Sequence, residues 1–185
     1  MLIVAAFSGH AGVMEWAREN LQNRYGPILL QSELFDFVET QYYDAEMGTG
    51  LKKRFFAFQR LIPPHTLAGI KRETNELERQ AALGDWTGLP IGVARPLNLD
   101  PGYLHSGKWV LATTKDQAHR VYLGDGIFGE VTLRFERGEY VPWPWTYPNY
   151  CRDDYRSFFE IARGEYLRLL KAHAREDVTE QGTEG

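Results

Sequence analysis

Leu2 to Phe7 is an unbroken apolar run closed by Ser8-Gly9, the pattern of a strand covered on both faces. Apolar residues then return at helical spacing, at Val13, Ala17, Leu21 and Tyr25, until Gly26-Pro27 stops the helix and residues 28–37 resume as a strand. The opening unit therefore reads β-α-β. The next segment, TQYYDAEMGTGLKKR, has no clean period and reads as a long surface loop, and RFFAFQRLI restores a strand. Pro63-Pro64 ends that strand and opens a helix, where a missing N–H costs nothing. From Leu67 the positions Ile70, Leu77 and Ala81 form its apolar stripe. Beside them Lys71, Thr74, Asn75 and Glu78 share a second face, which in the plainest reading is a solvated flank. Residues 84–90 are turn-rich, and a strand is expected from Ile91.

The stretch from Arg95 to Arg134 alternates strands and turns. In Val93 to Asp100, Leu97 and Leu99 fall on one face and Asn98 and Asp100 on the other, and Pro101-Gly102 is expected to turn the chain. Trp109 to Thr114 reads as a buried strand. A hairpin follows around Gly124-Asp125-Gly126; a three-residue loop sets Leu123 against Ile127, Tyr122 against Phe128 and Arg120 against Glu130. The proline- and aromatic-rich EYVPWPWTYP suits an edge or a covering segment. Asp153 and Asp154 start a last helix with the stripe Tyr155, Phe158, Phe159, Ala162, Tyr166 and Leu169. These elements predict an α+β fold: a mixed, mostly antiparallel sheet of six or seven strands with three helices, a ferredoxin-like β-α-β-β-α-β half extended by a C-terminal hairpin and helix. One domain over residues 1–175 and a disordered acidic tail over 176–185 are expected.

Charge and cysteine content narrow the function classes. With 25 acidic against 21 basic residues the net charge is −4, which argues against nucleic acid or a membrane surface as partner. Cys151 is the only cysteine, so neither an internal disulfide nor a cysteine-rich zinc site is available. No apolar run approaches the roughly 20 residues of a membrane span, and the N-terminus lacks a basic region before its apolar run, so a cytoplasmic location is expected.

Neither G-x-x-x-x-G-K-[ST] nor G-x-G-x-x-G occurs, and the five histidines have no ligand spacing, so P-loop, Rossmann-type dinucleotide, zinc and haem chemistry are not expected. What remains is a polar constellation. Lys71, Asn75, Glu78, Arg95, Asn98, Lys115 and Arg120 are the candidates for holding a small anionic, nucleotide-like molecule. Asp100, His119 and Glu130 are the candidates for proton transfer, or for a hard cation such as magnesium. The competing reading is structural: an Arg120–Glu130 cross-strand pair, with Asn98 and Asp100 as turn formers. Whether the chain is an enzyme, and its oligomeric state, stay open. An alternative from another class is an interaction module that docks a protein through the aromatic segment 142–148.

The strings YYDAEMG, IKRETNELE, RPLNLDPGYL, VLATTKDQAHRVYLGDGIFGEVTL and PWPWTYPNY resemble the bacterial family catalogued as domain of unknown function 4416, over nearly the whole chain to about residue 170. By that resemblance the signature polar positions fall on Tyr43, Lys71, Thr74, Asn75, Glu78, Arg95, Asn98, Asp100, Tyr103, Lys108, Lys115, Asp116, His119, Arg120, Glu130, Thr132 and Tyr147. Where the family pattern has Pro-Asp, this chain has Pro148-Asn149. The resemblance implies no particular reaction.

Overall fold

The computed structural model describes residues 1–38, 43–86 and 93–181, with side chains of the last helix described to residue 175. In chain order the elements are β1 Leu2–Ser8, α1 Ala11–Tyr25, β2 Ile28–Gln31, β3 Phe35–Asp36, α2 Asp44–Met47, β4 Lys52–Phe58 and α3 Leu67–Leu83. They continue with β5 Asn98–His105, β6 Lys108–Thr113, β7 Val121–Gly124, β8 Ile127–Glu136, β9 Glu139–Pro142 and α4 Asp153–Gln181. The fold is α+β, with three long helices and the four-residue α2. The nine strands form one sheet in the order β2-β4-β1-β5-β6-β8-β7, with β3 on β4 and β9 on β8.

Every described strand pairing is antiparallel, which corrects the expectation of a mixed sheet. The reason lies in the opening unit. β2 does not pair with β1; β4 lies between them, so α1 crosses over a strand that joins the sheet later.

β1 is central, and its alternation explains its continuous apolar run. Met1, Ile3 and Ala5 face the layer of α4, packed with Phe55, Trp109, Tyr155 and Phe159. Leu2, Val4 and Ala6 face α1 and α3, packed with Val13, Leu21, Ile70, Leu77 and Leu99. At roughly 1.5–3 kcal/mol for each large apolar side chain fully buried, these two layers outweigh any single polar contact.

Three further expectations are corrected. Residues 28–37 do not form one strand, because Ser32 breaks it: its Oγ accepts the Phe55 amide at 2.9 Å and donates to the Glu33 carbonyl at 2.7 Å. The loop after residue 38 contains α2, closed at Gly48 with φ 78°. Pro101-Gly102 does not turn the chain but lies inside β5, which turns only at Ser106-Gly107. Glycine is required there: a Cβ on Gly102 would meet the Val110 carbonyl at 2.3 Å and the Trp109 ring at 2.5 Å.

In the hairpin, Tyr122 opposes Phe128 as expected, but Gly124 rather than Leu123 opposes Ile127, with a register shift between Tyr122 and Gly124. Asp125 with φ 54° and Gly126 with φ 75° make a tight two-residue turn, and Leu123 becomes the extra residue of a bulge. The strand expected at Ile91 begins outside the described residues, and no strand covers 93–97. α4 runs to Gln181, past residue 176 where the acidic tail is expected. Among the described residues no helix is long and apolar enough to cross a membrane.

Candidate functional site

The site starts from a gap in the sheet. β6 pairs with β5 only from Gly102 to His105, so the earlier half of β5 has no strand on that edge. Leu99 turns its backbone to α3 instead: its amide donates to Glu78 Oε1 at 2.8 Å, and its carbonyl accepts from Lys71 Nζ at 2.7 Å. Two side chains of a helix thus satisfy what a neighbouring strand would otherwise satisfy. Pro101, two residues on and facing the same edge, has no N–H to strand there. The polar face of α3 is therefore not a solvated flank: Lys71 is buried at the unpaired edge of β5, and Thr74 is buried with its hydroxyl donating back to the Lys71 carbonyl at 3.0 Å.

Glu78 also accepts from Arg95 Nη2 at 2.8 Å, and Arg95 donates to Asn98 Oδ1. Burial opposes the charge on Arg95, but Glu78, with help from Asp100 and Tyr43, more than offsets it and holds the guanidinium above its ordinary value. Asp100 is held more loosely, 3.4 Å from Lys71 Nζ, with its side chain 31 % exposed.

On the sheet face toward α4, the register lines up the other groups. Lys53, Phe7 and Asn98 lie in one cross-strand row, Ala5 and Asp100 in the next, and Ile3, Gly102, Leu111 and Glu130 in the one after. Tyr150 packs against this face. Burial, followed by Asp100, Tyr155, Glu130 and Tyr43, pushes its hydroxyl well above the ordinary tyrosine value, so it is a neutral phenol at any physiological pH. Lys53, 1 % exposed, is boxed by aromatic rings, its Nζ 4.5 Å from the Tyr150 centroid and 5.5 Å from those of Phe7 and Tyr155.

Glu130 is the centre of a buried knot. Its Oε2 accepts from Arg120 Nε at 2.9 Å and lies 3.1 Å from His119 Nε2, while Oε1 accepts from Thr132 Oγ1 at 3.2 Å. Arg120 spends its other nitrogens on the Lys115 carbonyl and the Tyr147 hydroxyl, each at 2.8 Å. Burial opposes its charge as well, and the bonds to Glu130 and Tyr147 still raise it. Glu130 and Arg120 are bonded to each other and to Thr132, the Lys115 carbonyl and Tyr147, so they brace the loop of residues 114–120 against residue 147. His119 stacks on Trp145 at 5.5 Å, Trp145 on Trp143 at 5.1 Å, and Arg134 caps Trp143 at 4.3 Å.

A cleft of about 1000 Å³ opens over the gap. Nine of the ten sequence-predicted residues line it: Lys71, Asn75, Glu78, Arg95, Asn98, Asp100, Lys115, Arg120 and Glu130. His119 does not; it sits behind Glu130 against Trp145. The cleft also takes in Tyr43, one of the signature positions, and Phe7, Phe37, Lys53, Arg79, Thr113, Thr114, Gln117 and Tyr150, which sequence reasoning missed. For Lys53 the signal was slight: it is one of three consecutive basic residues, Lys52, Lys53 and Arg54, that open β4, and only the register of the strand shows which of them is buried. For Tyr150 there was none, because its place depends on the packing of residues 148–151 under α4. Among the described residues no group of three or more histidine, cysteine, aspartate or glutamate side chains could hold a metal ion.

The class that fold and site define is an antiparallel α+β domain with a polar cleft at a split in its sheet. Residues 1–166 match the model of the family described as "Domain of unknown function (DUF4416)", and the chain belongs to that family. No curated protein and no solved structure matches the chain.

Proposed function

We propose that the cleft binds a small anionic molecule of nucleotide-like size, as a ligand-binding domain or as an enzyme acting on that molecule. The observation that carries the reading is the charge of the lining: six lysine and arginine side chains against four carboxylates, in a chain whose net charge is −4. A concave site with that local excess concentrates anions against the field of the whole protein. The residues take separate roles. Lys115 and Arg79, both exposed at the cleft, meet the charged group of the ligand. Arg95 and Glu78 hold the loop and α3 in place. Asp100 is the carboxylate with room to take a proton or to meet a magnesium ion brought by the ligand.

Glu130 and Arg120 are better read as supports for the 114–120 loop than as reacting groups, since each oxygen of Glu130 already accepts a hydrogen bond and each nitrogen of Arg120 already donates one within the protein. The docking alternative loses ground on geometry. Trp145 is 40 % exposed, but its ring is stacked with both His119 and Trp143, so part of the surface it could offer a partner is already used. We also read the unit β1-α1-β2-β4-α3-β5, with its order β2-β4-β1-β5, as a ferredoxin-like half to which the hairpin and α4 are added.

A thermal-shift screen of phosphate-bearing metabolites and nucleotides, with and without magnesium, tests the reading. A ligand at a hundred times its Kd adds about 2.7 kcal/mol of stability, or roughly 5–10 °C for a chain of this size. Lys115→Ala is expected to remove that shift. If no anion stabilises the wild-type protein, the reading is wrong.

A further inference from the structure

Among the described residues, two donors in the cleft have no acceptor. Asn98 Nδ2 and the Tyr150 hydroxyl are buried side-chain atoms without a hydrogen-bond partner there, and both residues line the cleft while being 3 % and 2 % exposed. A buried polar group left unpaired costs about 1–3 kcal/mol, so two such groups at one cavity point to something the protein does not itself contain. Asn98 is oriented for this, because Arg95 engages its Oδ1 and leaves the amide nitrogen over. Asp100, two residues along β5, projects from the same face, and Tyr150 packs on that face.

We propose that Asn98, Tyr150 and Asp100 form a seat for the neutral end of the ligand: two donors for an acceptor oxygen, and a carboxylate for a donor hydrogen beside it. The inference rests on the anion-binding reading of the cleft and names which molecules it takes. A bare anionic oxygen is ill suited to this position. The donors are uncharged, Asp100 beside them already faces Lys71 at 3.4 Å, and Lys53 is boxed among aromatic rings, so the charged group of the ligand belongs with the exposed Lys115 and Arg79, and its uncharged end lies on the floor. The phenol of Tyr150, held neutral by burial, donates across the whole physiological pH range. The matching chemistry is an oxygen acceptor adjacent to an O–H or N–H, as in the vicinal diol of a sugar phosphate or the lactam of a heterocyclic nucleotide.

The test is calorimetric titration of the full chain with ribose 5-phosphate, uridine 5′-monophosphate and inorganic phosphate. The variants are Tyr150→Phe, which removes only the hydroxyl, and Asn98→Asp, which keeps an oxygen for Arg95. Wild type is expected to bind at least one organic phosphate more tightly than inorganic phosphate. The sugar phosphate alone would identify the diol, and the nucleotide the lactam. Each variant is expected to lose about tenfold of the organic ligand's affinity, and Tyr150→Phe, which changes no charge, none of the affinity for inorganic phosphate. The melting temperature of unliganded Tyr150→Phe should stay level or rise, since no bond is lost. Variants that bind the organic phosphates like wild type, or a wild type that binds all three equally, overturn the seat and leave the anion site standing. Failure of the wild type to bind any of the three overturns both.

Discussion

Replacing Glu130 by alanine separates the structural from the catalytic reading of the most buried carboxylate in the cleft. Its side chain is 2 % exposed, and that of its partner Arg120 is 1 % exposed. Removing one member of such a pair leaves the other charge buried and uncompensated, at about 3–5 kcal/mol. Arg120 retains the Lys115 carbonyl and the Tyr147 hydroxyl, which places the expected loss toward the lower half of that range. At roughly 2–4 °C per kcal/mol for a chain of this length, Glu130→Ala should melt about 6–16 °C below wild type. Urea unfolding followed by tryptophan fluorescence reports the same loss as a lower midpoint. The double variant Arg120→Met/Glu130→Met should recover most of it, because a buried ion pair exchanged for apolar groups of similar volume is often neutral or stabilising. A Glu130→Ala protein as stable as wild type would refute the bracing role and return Glu130 to the ligand.

Gly102→Ala forces a Cβ to within 2.3 Å of the Val110 carbonyl, so β5 and β6 must part, and a loss of about 1–3 kcal/mol or more is expected in the urea midpoint; a neutral variant would contradict the close approach. The Met1 ammonium is buried beside the Leu104 carbonyl, and burial lowers it from 8.0 to about 5. Between those values the unfolded chain holds the extra proton, so this group makes stability rise with pH from 5 to 8, by at most about 1.4 kcal/mol per pH unit; urea midpoints that stay flat over that window count against it. Glu78→Gln keeps the shape of the side chain but removes its charge from Arg95 and the Leu99 amide, and about 1–3 kcal/mol should be lost in the same assay, with no loss expected if α3 is not the partner of that edge.

Much of the architecture was legible because periodicity and burial agree. β1, α1, α3 and α4 each show an apolar pattern that the packing then uses. That most of the candidate residues would line one cleft was legible for a different reason: charged and amide side chains crowded among strands are expensive unless they converge. What the sequence concealed came from long-range geometry. Pro101-Gly102 has turn chemistry, yet Pro101 falls where the edge of β5 has no partner and Gly102 where a tryptophan ring crosses the strand. Neither circumstance is visible without knowing that β6 stops short. The role of Lys71 and Glu78 was hidden for the same reason, since a polar helix face is indistinguishable from a solvated one until the unpaired edge beneath it is known. His119 shares its neighbourhood with Glu130 in sequence, but the stacking on Trp145 keeps it out of the cleft.

The Leu99 amide is bonded to a helix side chain rather than to a strand, and that makes it a reporter. Amides of strand interiors exchange with solvent only when the sheet opens, whereas this one becomes exchangeable as soon as α3 lifts by the length of a single hydrogen bond. Its exchange rate therefore measures the seating of α3 on the cleft, independently of the stability of the sheet. A ligand that bridges the floor to Asn75 or Lys71 would slow that one amide before it changed any other.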